Sequence, residues 1–254
     1  MKNIFYYYKE TLGIDLSDLS HPISSKINSI PFSTLIDQKV KKHHLITFGH
    51  SLIDIKVYDK KIYNFYIKRI ARNSDISING HIFEINQCAH FIRTAKKNNL
   101  KFNFGDANQN EPDFIVENIG FEITSIRYSE KGNMSNPGRK LLKKFNEKNK
   151  KEYAAKNVVL IIDINQPTFY TIKDGKSVTP TFEEVREIIK NEAKFGLVLY
   201  FMEWIENIND NFFFKGTVYP DYSENCSAEL KTLMEQYFFK GKYNYEGEIL
   251  VSPN

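Results

Sequence analysis

Residues 111–127, EPDFIVENIGFEITSIR, constrain the fold more than any other stretch, because they predict two short strands joined by a tight turn. β-branched and aromatic side chains favour strands at residues 113–117 and 121–126. The sequence Asn-Ile-Gly at residues 118–120 supplies the turn between them. We therefore expect a β-hairpin near the middle of the chain.

Two carboxylates of this hairpin fall on one face if the turn has a two-residue tip. Side chains alternate between the faces of a strand, so Asp113 then lies on the same face as Glu122 and Thr124. A three-residue loop would reverse that parity. Adjacent carboxylates repel each other unless a cation lies between them, and hard oxygen ligands suit Mg²⁺ or Mn²⁺. The alternative is the solvent-exposed polar face of an ordinary hairpin.

The same residues form a short motif. Pro112-Asp113, eight further residues and then Glu122-Ile123-Thr124 resemble the signature of the PD-(D/E)XK nuclease superfamily, the restriction-endonuclease-like proteins. The resemblance implies that Asp113, Glu122 and the backbone carbonyl of Ile123 bind Mg²⁺ or Mn²⁺. The sequence departs from the signature at its last position, where Thr124 replaces the usual lysine.

A helix is predicted ahead of the hairpin, at residues 82–97. Its apolar residues recur at helical spacing and give a buried stripe of Ile85, Cys88, Ala89, Ile92 and Ala95. Glu84 lies off this stripe in the first turn, where it would compensate the helix dipole. The resemblance implies a second role, because an acidic residue on the helix before the sheet often completes the metal site of these nucleases.

The order of predicted elements supports the resemblance. A strand at residues 100–104 follows the helix, and after the hairpin come a basic helix at residues 138–156 and a strand at residues 157–164. The near-continuous apolar sequence of that last strand, NVVLIIDI, indicates burial on both faces. This α-β-β-β-α-β order is that of the restriction-endonuclease-like core. We therefore expect an α/β fold with a mixed sheet, in which the resemblance covers about residues 80–165.

The chain's net charge of +4 is concentrated in residues 139–156, which contain eight basic and two acidic residues. Four of the lysines align along one face of the predicted helix: Lys140, Lys144, Lys148 and Lys151. A localised basic face beside an acidic pocket suits the phosphates of nucleic acid together with a metal ion. The alternative is a solvated helix face.

The missing motif lysine leaves three alternatives open. A lysine of the basic helix reaches the site, Lys140 and Lys144 being the nearest in sequence. Otherwise the metal acts without a lysine, or the site is inactive. The candidate catalytic residues are therefore Asp113, Glu122, Thr124, Lys140 and Lys144.

The region before the core predicts strands. Short apolar or alternating runs at residues 45–48, 53–57 and 62–67 indicate a β-rich N-terminal lobe, which we place at residues 1–78. Residues 79–254 would then form the nuclease-like domain.

The region after the core predicts a C-terminal α/β extension. A capping box at Thr181 begins a helix that ends at residue 192, and a strand at residues 195–202 completes a βαβ unit. A final helix is expected at residues 227–239, from the apolar residues on its inner side.

Composition indicates a globular protein, with 41% hydrophobic and 26% charged residues. The longest apolar run is too short to span a bilayer, and the first residues lack the features of a signal peptide. With two cysteines, no disulfide framework is expected. We therefore expect a cytoplasmic location and no membrane partner.

Together these features predict a metal-dependent nuclease that hydrolyses phosphodiester bonds, a DNA endonuclease of a restriction or bacterial defence type. The expected partner is nucleic acid, with DNA preferred over RNA, and a homodimer is compatible with the sequence. The alternative is a catalytically inactive module of the same fold that binds nucleic acid or a protein. An unrelated α/β structural protein remains only if the hairpin register is wrong.

Overall fold

The computed structural model describes residues 6–15, 21–28, 35–71, 75–106, 109–127, 137–165, 180–208, 211–239 and 243–248. The chain forms two compact units. One comprises residues 1–93 with 205–214 and 247–254, and the other comprises residues 94–204 with 215–246. The domain boundary expected after residue 78 lies within a continuous helix, Asp75–Lys97.

The N-terminal segment of the first unit, residues 1–93, is mainly helical in its described parts. It contains a π-helical segment at Tyr7–Leu12, α1 at Pro22–Asn28, α2 at Leu35–Tyr58, α3 at Lys60–Ala71 and most of α4, Asp75–Lys97. Asp59 separates α2 from α3 and caps α3, because its carboxylate Oδ1 accepts hydrogen bonds from the backbone N–H groups of Lys61 and Ile62 at 2.7 and 3.0 Å.

The predicted β-rich N-terminal lobe is wrong. Residues 45–48 and 53–57 lie in α2, and residues 62–67 lie in α3. The buried residues of α2 recur at intervals of three or four, namely Leu45, Phe48, Leu52 and Ile55. Short apolar runs fit a strand or a helix equally well, and this longer spacing is that of one helix face.

The described strands form one seven-stranded sheet in chain order. They are β1 (Phe102–Phe104), β2 (Phe114–Val116), β3 (Ile119–Ser125), β4 (Val158–Asp163), β5 (Leu197–Ile208), β6 (Asn211–Tyr222) and β7 (Asn244–Glu248). β1 pairs with β2, and β2 with β3, in antiparallel orientation, whereas β3 pairs with β4, and β4 with β5, in parallel. The predicted α/β fold with a mixed sheet is confirmed.

The hairpin of β2 and β3 has the two-residue tip that places the carboxylates together. Val116 pairs with Ile119, so the tip consists of Glu117 and Asn118, one residue earlier than the predicted Asn-Ile-Gly turn. Glu117 adopts a φ of 55°, in the left-handed region that such turns require. Phe114 pairs with Phe121, and extending this register by one residue sets Asp113 opposite Glu122 on the same face.

The two faces of the hairpin differ in chemistry. Phe102, Phe114 and Phe121 stack on one face, with ring centroids 5.3 and 5.0 Å apart. On the other face Glu122 and Thr124 pair with Leu160 and Ile162 of β4, which belong to the main hydrophobic core. The carboxylate face is therefore the face that packs against helices, and it is not an exposed polar surface.

Two helices cover this core. Leu141 and Phe145 of α5 (Pro137–Asn149) and Val185 and Ile189 of α6 (Phe182–Glu192) join the strands in one cluster. The basic helix ends at Asn149 and not at residue 156, and the residues that follow form turns.

The C-terminal extension agrees with its prediction. Thr181 and Glu184 form the capping box of α6, and β4, α6 and β5 form a parallel βαβ unit. The final helix begins after Ser227 as α7 (Ala228–Leu233) and continues as a π-helical segment, Met234–Phe239. No helix in the described ranges combines the length and the apolar composition that a membrane span requires.

Candidate active site

Asp113 lies at the start of β2 and is held by the backbone of β3. Its Oδ2 accepts a hydrogen bond of 2.7 Å from the N–H of Ile123, the residue that follows Glu122. The bond crosses the hairpin and fixes the direction of the carboxylate. Asp113 is half-buried, so part of its surface still faces solvent.

Glu122 is the buried member of the pair. Its side chain is 4% exposed, and its Oε1 contacts the ammonium Nζ of Lys148. It also forms a hydrogen bond with the phenol of Tyr153. A buried carboxylate without partners would be costly, and these two groups offset that cost.

Tyr153 joins the two carboxylates electrostatically. Burial, the charge and hydrogen bond of Glu122, and the charge of Asp113 all raise the pKa of Tyr153 above its ordinary value. The phenol therefore keeps its proton at neutral pH and donates it to Glu122. The charges of Glu122 and Asp113 therefore both act on this one hydroxyl.

Lys148 reaches Glu122 from the last turn of α5. It follows the buried residues Leu141 and Phe145 by seven and three positions, so it lies at the edge of the same helix stripe. Its side chain is 22% exposed, which leaves its ammonium group partly accessible beside the carboxylates. The sequence predicted that Lys148 binds nucleic acid, and it did not predict the contact with Glu122. The spacing of Lys148 from Leu141 and Phe145 could have indicated that it lies near the sheet.

The two lysines predicted to replace the motif lysine make other contacts. The ammonium of Lys140 donates to the backbone carbonyl of Arg127, and that of Lys144 lies 3.3 Å from Glu147 Oε2. Burial lowers the pKa of Lys140. Lys151 is exposed in the turn after α5.

Thr124 lies on the face of Glu122, two residues further along β3. It is 7% exposed and pairs with Ile162 of β4, one of the core residues. The position that the motif gives to lysine is therefore covered by protein in this chain.

Glu84 is in the first unit and is held by neighbours there. It accepts hydrogen bonds from the Tyr66 hydroxyl at 3.1 Å and from Arg69 at 3.2 Å, and His81 Nδ1 lies 3.6 Å away. Burial alone would raise the pKa of Glu84, but the nearby His81 and the charge of Arg69 hold it below its ordinary value. Its role as a metal ligand stays a prediction.

Asp163 was absent from the predicted site residues. It ends β4 fully buried, and it forms an ion pair with Arg127 and accepts a hydrogen bond of 3.0 Å from the N–H of Asn165. Burial raises its pKa, against the lowering effect of Arg127. In the sequence, Asp163 could have been noticed because it ends the apolar run VVLII. Its ion pair with Arg127 is explained by a structural role.

Asp113 and Glu122 are the residues that could hold a metal ion. Within the described ranges, no group of three or more His, Cys, Asp or Glu residues is placed to hold a metal. Asp113 and Glu122 provide two carboxylates, and Mg²⁺ is typically held by one or two carboxylates, several waters and the substrate's phosphate. A role for the carbonyl of Ile123 stays a prediction.

The chain matches no protein-family model, no curated protein and no solved structure. We therefore infer its function from the chemistry of four residues, Asp113, Glu122, Lys148 and Tyr153.

Proposed function

We propose that this protein is a metal-dependent nuclease of the PD-(D/E)XK type, in which Lys148 replaces the lysine absent at Thr124. The observation that carries the proposal is the contact between Lys148 and Glu122. A lysine contacts the motif glutamate although the motif position itself holds threonine. Asp113 lies opposite this glutamate in the register of the hairpin.

Hydrolysis of a phosphodiester needs an activated water, stabilisation of charge on the phosphate and help for the leaving oxygen. A bound Mg²⁺ or Mn²⁺ would polarise the phosphate and lower the pKa of a water. Asp113 and Glu122 would hold that ion, and the bond from the Ile123 N–H orients the Asp113 carboxylate for this task.

Lys148 would act on the phosphate or the attacking water. An ammonium is a compact charge on a flexible stem, so it can turn from Glu122 to a phosphate oxygen when substrate arrives. Tyr153 would keep Glu122 in position during that change, because its hydroxyl remains a donor to the carboxylate.

We expect DNA as the substrate, with endonucleolytic cleavage. Four lysines of the basic segment are exposed, namely Lys143, Lys150, Lys151 and Lys156, and they can neutralise phosphates of a bound substrate. Lys140 and Lys144 should contribute less to phosphate binding than the sequence predicted, because their ammonium groups already contact protein oxygens.

The test is cleavage of plasmid DNA, single-stranded DNA and RNA by the purified protein with Mg²⁺, Mn²⁺ or EDTA. We expect cleavage of DNA with either metal and none in EDTA. Lys148→Ala should lose activity, whereas Lys190→Ala, at an exposed lysine of α6, should retain it. Equal activity of the two variants would remove Lys148 from the site.

A second candidate function is a nuclease-like module without catalysis. It is favoured by the burial of Glu122, whose charge Lys148 and Tyr153 already satisfy. A Mn²⁺ titration separates the two functions, because an ion that binds only the native state raises the melting temperature. Melting unaffected by Mn²⁺, together with no cleavage, would support the module.

A further inference from the structure

The outer face of α3 combines exposed cations with an exposed aromatic ring. Lys61, Phe65 and Lys68 are exposed and follow one another at four and three residues, so they form one line along the helix. The Phe65 side chain is 53% exposed. The opposite face of α3 packs inward through Tyr63, Tyr66 and Ile70.

This outer face carries no acidic residue. The sequence of α3, KKIYNFYIKRIA, contains four basic residues and neither Asp nor Glu. The preceding Asp59 is used by the backbone N–H groups of Lys61 and Ile62, and Glu84 takes up Arg69. In the part of the chain that the structure describes, no ion pair involves Lys60, Lys61 or Lys68.

A solvated basic face would explain the lysines but not the ring. Phe65 contacts Tyr66 edge-on at 5.7 Å and lies under the guanidinium of Arg69 at 5.9 Å, yet half of it remains in water. Tyr63 and Tyr66, the other rings of this helix, are buried. An exposed ring flanked by unpaired cations is the combination with which proteins bind single-stranded nucleic acid.

We propose that the line of Lys61, Phe65 and Lys68 binds single-stranded nucleic acid, separately from the carboxylate site. A base would stack on Phe65, while the phosphates on either side of it meet Lys61 and Lys68. A helix rises about 1.5 Å per residue, so the two lysines lie about 10 Å apart along the axis, with the ring between them.

A membrane surface fits this face less well. Helices that lie on membranes bury a wide apolar face in the lipid, whereas the apolar face of α3 is already packed inside the protein. The single ring of Phe65 offers little apolar area, and its position between charges favours stacking.

The test is binding of the full-length protein in EDTA to a labelled single strand and to a matched duplex. Phe65→Ala should weaken binding to the single strand about fivefold or more, the loss expected for one stacked base, and should change duplex binding little. Phe65→Trp should retain or improve it. Ile188→Ala, at another exposed apolar residue, is the control and should change neither.

The lysines give an independent readout through salt. Lys61→Ala with Lys68→Ala should lower the slope of log affinity against log salt by about 1.4 for the single strand, because two phosphate contacts are lost. Lys96→Ala with Lys97→Ala removes the same charge from exposed positions in the last turn of α4 and should leave the slope unchanged.

Three results would overturn the proposal. The first is no binding of a single strand by the wild-type protein, and the second is equal behaviour of Phe65→Ala and Ile188→Ala. The third is binding to anionic phosphatidylserine vesicles, but not to the single strand, that depends on Phe65. None of these results bears on cleavage, which depends on Asp113, Glu122 and Lys148, so the proposed function and this inference fail separately.

Discussion

Lys148 contacts Glu122 across a separation of 26 residues, and this contact joins the end of α5 to the middle of β3. The Glu122 side chain is buried and the Lys148 side chain is partly exposed. The pair therefore joins an internal carboxylate to a side chain that solvent reaches. The stabilising role of the pair and its proposed catalytic role can be separated by the substitutions below.

Lys148→Met should destabilise the protein by up to about 3–5 kcal/mol, because the Glu122 carboxylate would stay buried without its cation. The remaining bond from Tyr153 reduces that cost. Adding Glu122→Gln should restore part of the stability but no cleavage, since the buried charge is then removed. Urea unfolding of the single and double variants measures this, and a double variant less stable than Lys148→Met would contradict it.

Asp113→Asn should abolish cleavage and leave stability within about 0.5 kcal/mol of wild type. The side-chain oxygen of asparagine can still accept from the Ile123 N–H, whereas the charge needed for a metal ion is gone. Melting with and without Mn²⁺ checks this, because the stabilisation by the ion should disappear. Undiminished Mn²⁺ stabilisation would show that the ion binds elsewhere.

Thr124→Lys should destabilise the protein by about 3–5 kcal/mol and should not raise activity, although it restores the motif. The position is buried between β3 and the core, and Glu122 already has a cation. Thr124→Val is the control, with an expected cost within about 1 kcal/mol. A stable and more active Thr124→Lys protein would mean that this side chain reaches the metal.

Tyr153→Phe should cost about 1.5–3 kcal/mol at neutral pH, since Glu122 loses a hydrogen bond to its charged form. The pKa of Tyr153 is raised in the folded protein, so its contribution is complete below the ordinary value of 10.0 and is lost as pH rises above it. The stability difference between wild type and variant should therefore shrink in alkaline solution. Unfolding curves between about pH 7 and 11 measure it, and a difference that does not change with pH would exclude this bond.

Glu84→Gln should lower stability at neutral pH, by about 1–3 kcal/mol for the charged hydrogen bonds lost. Because the pKa of Glu84 is held low when folded, its contribution is present above the ordinary value of 4.5 and is lost as pH falls below it. The two proteins should converge in acid. The same variant tests the metal role, since Mn²⁺ stabilisation is lost only if Glu84 is a ligand.

The hairpin could be predicted because a strand alternates with a period of two, so a two-residue tip is enough to place Asp113 and Glu122 on one face. The contact of Lys148 with Glu122 could not be predicted from distance along the sequence, which favoured Lys140 and Lys144. In a helix, residues seven apart lie on nearly the same side, so Lys148 lies close to the buried stripe that contains Leu141.

The first unit was mispredicted for a related reason. Residues 45–48 and 53–57 are apolar in runs too short to show a period by themselves. The helical spacing becomes visible only when both runs are joined into one stripe, from Leu45 to Ile55, within the 24-residue helix α2. The burial of Glu122 also could not be predicted, because it depends on a helix that packs over the hairpin from later in the chain.

The two engaged lysines of α5 have a dynamic consequence. Lys140 near its beginning is bonded to the backbone after β3, and Lys148 near its end is paired within β3. The helix is thus fastened at two points about 12 Å apart along its axis. It cannot slide along the sheet without breaking both contacts. Helix ends commonly fray, but the last turn of this helix, like its first, has a side-chain contact with the sheet region. Local opening of α5 should therefore occur for the whole helix at once, so that the backbone of Lys148 leaves the neighbourhood of Glu122 only when the helix itself detaches.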